Sequence, residues 1–220
     1  MLERVLETEA MDTPTEAESY NSMDHAEVNR IFVRDFLEAG GNVAYTVDVG
    51  TGTALIPIEL CRSRFAGKVV GVDVARHMLR VGRRNVETAS LSERIVLLQC
   101  DARRLPFPDG SVPAVCSNSI VHHIPDPSEV LQESWRITAP GGLFFFRDLA
   151  RPNDEDELAM LVQTYTGNED AFQQKMFADS LRAALRVEEV RELAAAMNVD
   201  PQTVTMTSDR HWTWSVRKPA

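Results

Sequence analysis

The residues best suited to chemistry lie in the segment 45–54, where a carboxylate is followed closely by two glycines. Asp48 lies two positions before Gly50, and Gly52 follows at once. Glycine lets the backbone approach a ligand because no Cβ stands in the way. A carboxylate beside such a turn suits a ligand with an ammonium group better than one with a pyrophosphate. The segment therefore predicts a site for a small molecule that carries an ammonium group.

A second carboxylate, Asp73, ends the next apolar run of the chain. An acid about 20 residues beyond a glycine turn, at the end of the second strand of a doubly wound sheet, accepts hydrogen bonds from ribose hydroxyls. The apolar contact to an adenine face would then come from Val74, Ala75 and Met78. The alternative is that Asp73 only caps the helix predicted over 75–87.

The segments around these acids alternate between apolar runs and amphipathic stretches, which favours an α/β fold. A strand, a glycine turn and a helix in succession place the site at the carboxyl end of a parallel sheet. Strands are predicted at 45–49, 68–73, 94–102, 114–118, 143–149, 203–207 and 211–216. Helices are predicted at 24–39, directly after the glycine turn, at 75–87, at 128–136, within 150–185 and at 187–197.

The pattern Asp-x-Gly-x-Gly-x over residues 48–53 resembles the first motif of class I S-adenosylmethionine-dependent methyltransferases. Ala54 stands where that family often has a third glycine. The resemblance continues over residues 20–149, with the Pro-Gly-Gly segment 140–142 ending a helix before the fifth strand. It implies a Rossmann-like, doubly wound sheet of seven strands, mostly parallel, with an antiparallel last strand between the fifth and sixth and helices on both faces.

The resemblance also implies which residues hold the cofactor, S-adenosylmethionine, and its product S-adenosylhomocysteine. Asp101 would meet the adenine amino group, with the backbone N–H of Ala102 on the ring. Tyr20, ahead of the first strand, would lie over the cofactor or else only seal the edge of the sheet. The remaining cofactor contacts would come from Asp48, Gly50, Gly52, Thr53, Asp73, Val74, Met78, Asn118 and Ser119.

The loop 117–127 resembles the loop after strand four in small-molecule methyltransferases of the ubiquinone and menaquinone biosynthesis type. It lacks the Asn/Asp-Pro-Pro-Tyr/Phe signature of enzymes that methylate exocyclic amines of bases. His122 is a candidate general base, whereas His123 either packs structurally or contacts the substrate. Adjacent histidines point in different directions on a regular backbone, so no metal site is predicted.

The acceptor side of the site is predicted from residues after strand five. The helices within 150–185 occupy the place where the family builds its substrate cover, and the alternative is plain helical packing. Arg147 and Arg210 would bind an anionic group of the acceptor, unless they pair with Asp148 and Asp209. Trp212 would face the acceptor, and His211 is the second candidate base.

Composition limits the remaining choices. The chain has 220 residues, which predicts one domain over 1–220. The resemblance implies that this is a methyltransferase domain, with an arm and helix in 1–40 capping the cofactor site. A net charge of −10 argues against nucleic acid as a partner. No apolar stretch reaches membrane-spanning length, no signal peptide is evident, and three cysteines without a CxxC pattern favour a cytoplasmic protein. A monomer or a homodimer is expected.

The function predicted from these features is methyl transfer from S-adenosylmethionine to a small molecule. Two alternatives remain open at the level of sequence. One is a protein of the same fold that binds the cofactor or a partner without catalysis. The other is a nicotinamide-dependent oxidoreductase, which the replacement of the third glycine of the dinucleotide fingerprint by Leu55 disfavours.

Overall fold

The structure is a computed structural model that describes residues 1–7 and 12–220. Its α-helices are α1 (Pro14–Ser22), α2 (Ala26–Glu38), α3 (Leu55–Arg62), α4 (Arg76–Thr88), α5 (Pro127–Ile137), α6 (Glu155–Thr166), α7 (Ala171–Ala183) and α8 (Val187–Ala196). Its strands are β1 (Tyr45–Val49), β2 (Lys68–Asp73), β3 (Ile95–Gln99), β4 (Val112–Asn118), β5 (Thr138–Leu149), β6 (Val204–Met206) and β7 (His211–Arg217). Single 3₁₀ turns occur at Val121–His123 and Pro201–Thr203.

The strands form one seven-stranded sheet in the order β3-β2-β1-β4-β5-β7-β6. β1 pairs in parallel with β2 and β4, β2 pairs in parallel with β3, and β6 and β7 are antiparallel. Asp48 of β1 is in register with Gly71 of β2 and Cys116 of β4, so its side chain lies at the middle of the sheet. The predicted doubly wound α/β sheet, with its last strand between the fifth and the sixth, is confirmed.

The chain divides into two compact units. Unit 1 contains residues 1–10, 119–128 and 147–214, and unit 2 contains residues 11–118, 129–146 and 215–220. Both units are therefore built from segments that are far apart in sequence. The predicted roles fall into the same two groups, because the cofactor candidates except Ser119 lie in unit 2 and the acceptor candidates lie in unit 1.

Aromatic packing holds α2 in unit 2. Phe32 and Phe36 lie one helical turn apart and are fully buried. Both rings meet the ring of Phe145 in β5 edge to face, with centroids 5.3 and 5.7 Å apart. Such pairs add about 0.5–1.5 kcal/mol each beyond the burial of their surface.

Unit 1 contains the helices predicted within 150–185. The carboxylates of Asp154 and Asp170 accept hydrogen bonds from backbone N–H groups in the first turns of α6 and α7. These caps satisfy amide groups that have no partner within the helix. The two helices bury apolar residues against the end of β5, namely Leu149, Leu158, Leu161, Leu181 and Ala184.

The first residues of the chain differ in part from the arm predicted within 1–40. Residues 1–7 bind along unit 1, where Leu2 N donates to Asn153 O and the guanidinium of Arg4 donates to Ala183 O and Ile124 O. Backbone carbonyls therefore hold this segment in place. Residues 8–11 lie outside the described part of the chain, and 14–22 form α1.

Two predicted boundaries were wrong. The Pro-Gly-Gly segment does not separate α5 from β5, because β5 already begins at Thr138. Gly141 adopts a φ of 72°, which a glycine tolerates without a Cβ clash, and its N–H donates to Lys218 O. The cap of α2 is His25 rather than Asp24, whose carboxylate instead accepts from Ala26 N.

Within residues 1–7 and 12–220, no helix has both the length and the apolar character that crossing a membrane requires.

The cap of α7 gives a first prediction, since Asp170 and Gln173 form a reciprocal capping box. Asp170→Ala should lower the free energy of unfolding by about 1 kcal/mol, because an amide of the first turn loses its acceptor. Urea unfolding followed by circular dichroism measures the change. Glu169→Ala, at the exposed neighbouring position, is the control and should change little; equal effects of the two variants would contradict the assigned cap.

Candidate functional site

The turn after β1 is folded by two glycines in the left-handed region. Gly50 has a φ of 75° and Gly52 a φ of 52°. The N–H groups of Gly50 and Thr51 both donate to Val72 O at the end of β2, which fixes the turn to the neighbouring strand. A Cβ built on Gly52 would meet no atom within 4 Å, so open space borders the backbone at this point. A ligand can therefore approach the turn closely.

Close packing constrains the strand behind the turn. A Cβ on Gly71 of β2 would lie 2.6 Å from Thr51 Oγ1 and 2.8 Å from Leu97 Cδ2. Distances this short are not tolerated by real side chains. Gly71 thus allows Thr51 to pack under the turn.

Asp73 links the turn to the following helix. Its Oδ2 accepts a hydrogen bond from Gly52 N at 2.8 Å, and its Oδ1 accepts one from Ala75 N at 2.8 Å. The alternative, in which Asp73 caps the following helix, is therefore observed in the hydrogen bond from Ala75 N. A carboxylate can accept about four hydrogen bonds, so this role is compatible with the predicted contact to ribose hydroxyls.

Asp48 is the most unusual group at the turn. It is buried, its Oδ1 lies 3.7 Å from Cys116 Sγ, and its Oδ2 has no hydrogen-bond partner among residues 1–7 and 12–220. Burial, together with the charge of nearby Asp73, raises the pKa of Asp48 to about 6. A buried carboxylate with one unpartnered oxygen is suited to receive a cationic group.

Two further polar atoms of unit 2 share this property. Thr53 Oγ1 and Asn118 Oδ1 are buried without a hydrogen-bond partner in the described part of the chain. Thr53 lies in the turn that follows β1, and Asn118 is the last residue of β4. Together with Asp48 and the open face of Gly52, they fit a ligand rich in polar groups, as S-adenosylmethionine is.

Tyr20 lies near the same carboxylates. Burial, followed by the charges of Asp73 and Asp48, raises the pKa of Tyr20 to about 12. Its ring packs on the buried cluster formed by Ala17, Ala75, Met78 and Val81. Met78 therefore contacts α1 as well as lying near the proposed adenine position, whereas the side chain of Val74 is 57% exposed and open to a ligand.

The third predicted acid is already paired. Asp101 follows β3, and both of its oxygens accept hydrogen bonds from the guanidinium of Arg103 at 2.6–3.0 Å. This pair lies at the surface. Ala102 is buried beside it, and the structure shows no further contact that would single out an adenine site there.

In unit 1, His122 forms a buried pair with Asp148. His122 Nδ1 lies 2.6 Å from Asp148 Oδ1, and both side chains are almost fully buried. Burial alone would lower the pKa of His122, but the adjacent carboxylate outweighs it and raises the pKa. Asp148 is fixed in turn by the N–H groups of Val121 and Leu149. This arrangement fixes the orientation of the imidazole, as in general bases and in metal-ligating histidines.

His123 forms a second pair with a residue that the sequence analysis did not select. His123 Nδ1 lies 2.6 Å from Glu7 Oε2, and Glu7 Oε1 accepts a hydrogen bond from Ser180 Oγ at 2.7 Å. Burial would raise the pKa of Glu7, but the hydrogen bonds from His123 and Ser180 lower it to about 2. No spacing in the sequence signals this contact, since residue 7 is distant from residue 123.

The expectation that the two histidines diverge was wrong. Their ring centroids lie 4.0 Å apart on the 3₁₀ turn Val121–His123. Each ring is held by a different carboxylate, and the two pairs bring the imidazoles side by side.

The two arginines predicted for the acceptor have partners within unit 1. Arg147 is buried, and its Nε donates to Thr213 Oγ1 at 2.8 Å. Arg210 donates to Asp209 at 3.0 Å and lies over the ring of Tyr165, 3.2 Å from its centroid. The alternative of an ion pair with Asp209 is therefore observed.

The charges of both guanidiniums nevertheless lower the pKa of the same imidazole, that of His211. Burial, followed by the charges of Arg210 and Arg147, lowers the pKa of His211 to about 4. His211 is consequently neutral at pH 7, and its Nδ1 lies 2.9 Å from Ser208 Oγ. Asp148 and Asp209 also lie near this imidazole and partly offset the charges of the two guanidiniums.

Trp212 does not lie where it was expected. Its side chain is completely buried, with no hydrogen-bond partner for Nε1 among the described residues. Along β7, His211 is partly exposed, whereas Trp212, Thr213 and Trp214 are all buried, so both faces of the strand are covered at this point. The ring therefore belongs to the core rather than to an open acceptor surface.

Comparison with known proteins identifies the central part of the chain. Residues 47–146 match a family model described as a methyltransferase domain. The demethylmenaquinone methyltransferase of Listeria welshimeri is 36% identical over 118 residues, which are 53% of this chain and 48% of that protein. The sterol 4-C-methyltransferase strm-1 of Caenorhabditis elegans is 26% identical over 57% of this chain and 36% of that protein. The chain thus spans about half the length, or less, of these curated relatives.

Among solved structures, a candidate S-adenosyl-L-methionine-dependent methyltransferase of Methanococcus maripaludis has the same fold. It superposes with a TM-score of 0.73 over 98% of both chains, at 16% sequence identity. The similarity of fold therefore covers nearly the whole length of both chains.

The buried carboxylate gives a second prediction, because a pKa raised from 3.8 to about 6 means that folding disfavours the ionised form. The stabilising contribution of Asp48 is then present below pH 3.8 and is lost as the pH rises through about 6. Asp48→Asn should raise the free energy of unfolding of the ligand-free protein at pH 7.5 by about 2–3 kcal/mol. The gain should vanish near pH 4.

Denaturant unfolding at both pH values measures this difference. Asp24→Asn is the matched control, because Asp24 is exposed and should show no pH-dependent gain. A loss of stability in Asp48→Asn at pH 7.5 would show that the carboxylate is not disfavoured by the fold.

Proposed function

We propose that this chain, whose residues 47–146 match a family model described as a methyltransferase domain, transfers a methyl group from S-adenosylmethionine to a small-molecule acceptor. The observation that carries the proposal is the turn after β1, where Asp48 is buried and open space borders Gly52. The cofactor supplies a methyl group activated by a sulfonium and leaves as S-adenosylhomocysteine. Its ammonium group would give Asp48 an oppositely charged partner.

The cofactor would be held mainly by unit 2. Asp73 at the end of β2 would accept hydrogen bonds from the ribose, and the exposed side chain of Val74 would contact the adenine. Asp101 and Ala102 would contact the edge of the adenine ring. For this contact, the carboxylate of Asp101 must bind the adenine in addition to Arg103 or in place of it. The other residues proposed for the cofactor are Tyr20, Gly50, Gly52, Thr53, Met78, Asn118 and Ser119.

Residues 12–40 would cap the cofactor site through α1. Tyr20 on this helix is close enough to Asp73 and Asp48 for their charges to shift its pKa. Polar contacts fasten α1, and Asp12 two residues before it, to α4. They join Asp12 to His77 N, Glu18 to Arg84, and Asn21 to Asn85. Residues 1–7 have a different place, because they bind along unit 1.

Unit 1 would bind the acceptor. The relatives named above are a demethylmenaquinone methyltransferase and a sterol methyltransferase, which supports a small organic acceptor here. The guanidiniums of Arg147 and Arg210 around His211 favour an acceptor with an anionic or strongly polar group. Tyr165 of α6 holds Arg210 in position, which supports the proposal that the helices within 150–185 cover the acceptor.

Catalysis would rest chiefly on orientation, which can supply about 7–11 kcal/mol in well-aligned reactions. Where the acceptor must also lose a proton, His211 has an unprotonated nitrogen at neutral pH because its pKa is lowered to about 4. His122 is the second candidate from the sequence, and its Nδ1 is held by Asp148. Methyl-transfer rates of variants at each histidine distinguish the two candidate bases.

Transfer of a labelled methyl group from S-adenosylmethionine into a metabolite extract tests the function and reports the acceptor. Incorporation into a small molecule is expected, together with release of S-adenosylhomocysteine. Binding of S-adenosylmethionine without any transfer would instead indicate a non-catalytic protein of this fold. Tighter binding of NADH than of S-adenosylmethionine would support the oxidoreductase alternative.

The third prediction concerns the pH dependence of cofactor binding. Asp48 has a pKa of about 6 in the free protein, so it is ionised at pH 7.5 and largely protonated at pH 5. A cationic ligand prefers the ionised form, and the affinity for S-adenosylmethionine should fall about tenfold between these values. Calorimetry at the two pH values measures this change. Asp48→Asn should bind weakly with no such pH dependence, and a wild-type affinity that does not change would remove Asp48 from the site.

The fourth prediction concerns the acceptor. Once the acceptor is known, Arg210→Met should raise its KM about tenfold or more, because a charge-assisted hydrogen bond is worth about 1.5–3 kcal/mol. The affinity for S-adenosylmethionine should stay the same. Arg182→Met, in α7 of the same unit, is the control. Unchanged acceptor kinetics in both Arg210→Met and Arg147→Met would contradict an anion site.

A further inference from the structure

We propose that Glu7, His122 and His123 form a binding site for a divalent transition-metal ion of the Zn²⁺ class. Each residue offers one ligand atom, and these atoms all lie within 4.8 Å of one another. All three residues belong to unit 1. The site shares no residue with the glycine turn proposed for the cofactor, and an ion bound to His122 would leave His211 as the candidate general base.

The orientation of His122 supports this site. Its Nδ1 is held at 2.6 Å by Asp148 Oδ1, which leaves Nε2 as the nitrogen available to an ion. Metal-ligating histidines characteristically bind a carboxylate through the ring nitrogen that does not face the metal. Asp148 cannot easily rotate away, because the N–H groups of Val121 and Leu149 donate to it.

The pair between His123 and Glu7 occupies the place that the ion would take. Tetrahedral ligands bonded to Zn²⁺ at about 2.0–2.1 Å lie roughly 3.3 Å from one another. His123 Nδ1 and Glu7 Oε2, now 2.6 Å apart, would therefore separate by less than an ångström to admit the ion between them. Ser180 Oγ donates to the other oxygen of Glu7 at 2.7 Å and would keep the carboxylate oriented.

Glu7 is brought to the histidines by contacts that do not involve it. Leu2 N donates to Asn153 O, Val5 N donates to Arg182 O, and Arg4 donates to Ala183 O and Ile124 O. Four hydrogen bonds to backbone carbonyls thus determine where this segment lies. The third ligand is preorganised, which reduces the entropy lost when an ion binds.

The charge and chemistry of the cluster select the class of ion. Glu7 and Asp148 contribute two carboxylates, whose charge one divalent ion would balance. Two imidazoles and one carboxylate suit Zn²⁺ and its transition-metal neighbours, whereas Mg²⁺ and Ca²⁺ prefer oxygen ligands alone. The side chain of His122 is only 3% exposed, but those of His123 and Glu7 are 25% and 16% exposed, which gives an ion a route in.

Three protein ligands leave a fourth position open on a tetrahedral ion. That position would hold water or an oxygen or sulfur anion of a bound molecule. The ion would also fasten residues 1–7 to the turn Val121–His123 within unit 1. The competing explanation is that the two histidine–carboxylate pairs are complete by themselves and bind no ion.

Titration of the full-length, chelator-treated protein with Zn²⁺ by calorimetry separates these explanations. Binding of one ion per chain is expected, and excess Mg²⁺ should not compete. Titration with Co²⁺ as a second probe should give the visible absorption of a four-coordinate nitrogen and oxygen site without thiolate bands. This spectrum excludes binding to Cys61, Cys100 or Cys116.

Variants assign the ligands. Glu7→Gln and His123→Gln should each weaken Zn²⁺ binding by at least about tenfold, and Asp148→Asn should weaken it by about 10–100-fold through His122. Glu3→Gln, exposed on the same segment, is the matched control and should bind as the wild type does. Circular dichroism confirms that each variant is folded, and Glu7→Gln provides the test if the buried changes prevent folding.

The absence of stoichiometric Zn²⁺ binding to the wild type would overturn the proposal. Binding that is unchanged in Glu7→Gln would overturn it as well, and so would a Co²⁺ spectrum with thiolate bands.

Discussion

The carboxylate of Asp73 is the interaction on which the proposed cofactor site depends. It accepts one hydrogen bond from the backbone N–H of Gly52, in the turn after β1. It accepts another from the N–H of Ala75, which directly precedes α4. Two helices, α3 and α4, therefore begin from turns that share a single side chain. Because each turn is also fixed to the end of β2, a small displacement of Asp73 would move both edges of the site together.

Local spacing made this part of the fold predictable. The acid and the glycines lie next to the strands that position them, so the glycine turn, the strand ends and the capped starts of α6 and α7 could all be inferred from neighbouring residues. The pairing of Glu7 with His123 could not, since it depends on a tertiary contact between distant segments. The burial of Trp212 was also not predictable, because residues 212–214 are buried on both faces of β7 and their neighbours in sequence do not signal this.

Unit 1 has an unusually polar interior for a compact unit. Arg147, Asp148 and Arg151 follow one another closely at and beyond the end of β5, and all are buried. A buried charge is tolerated only when it is paired and hydrogen-bonded. Asp148 meets His122, while Arg151 meets Glu189 and the carbonyl of Ala184. These contacts restrict the buried charged groups of unit 1 to a specific arrangement.

The contact between Gly71 and Thr51 has a consequence for recombining this fold with its relatives. A methyl group at residue 71 would collide with the threonine hydroxyl, so the two positions must change together. A chimera whose crossover falls between the glycine turn and β2 would take these two residues from different parents. Where the parent that supplies β2 has a side chain at residue 71, such a chimera would place it against Thr51 of the other parent and create a steric clash, even if both parents fold well. Crossovers placed beyond Asp73 keep the pair intact, and they preserve the whole turn as one inherited block.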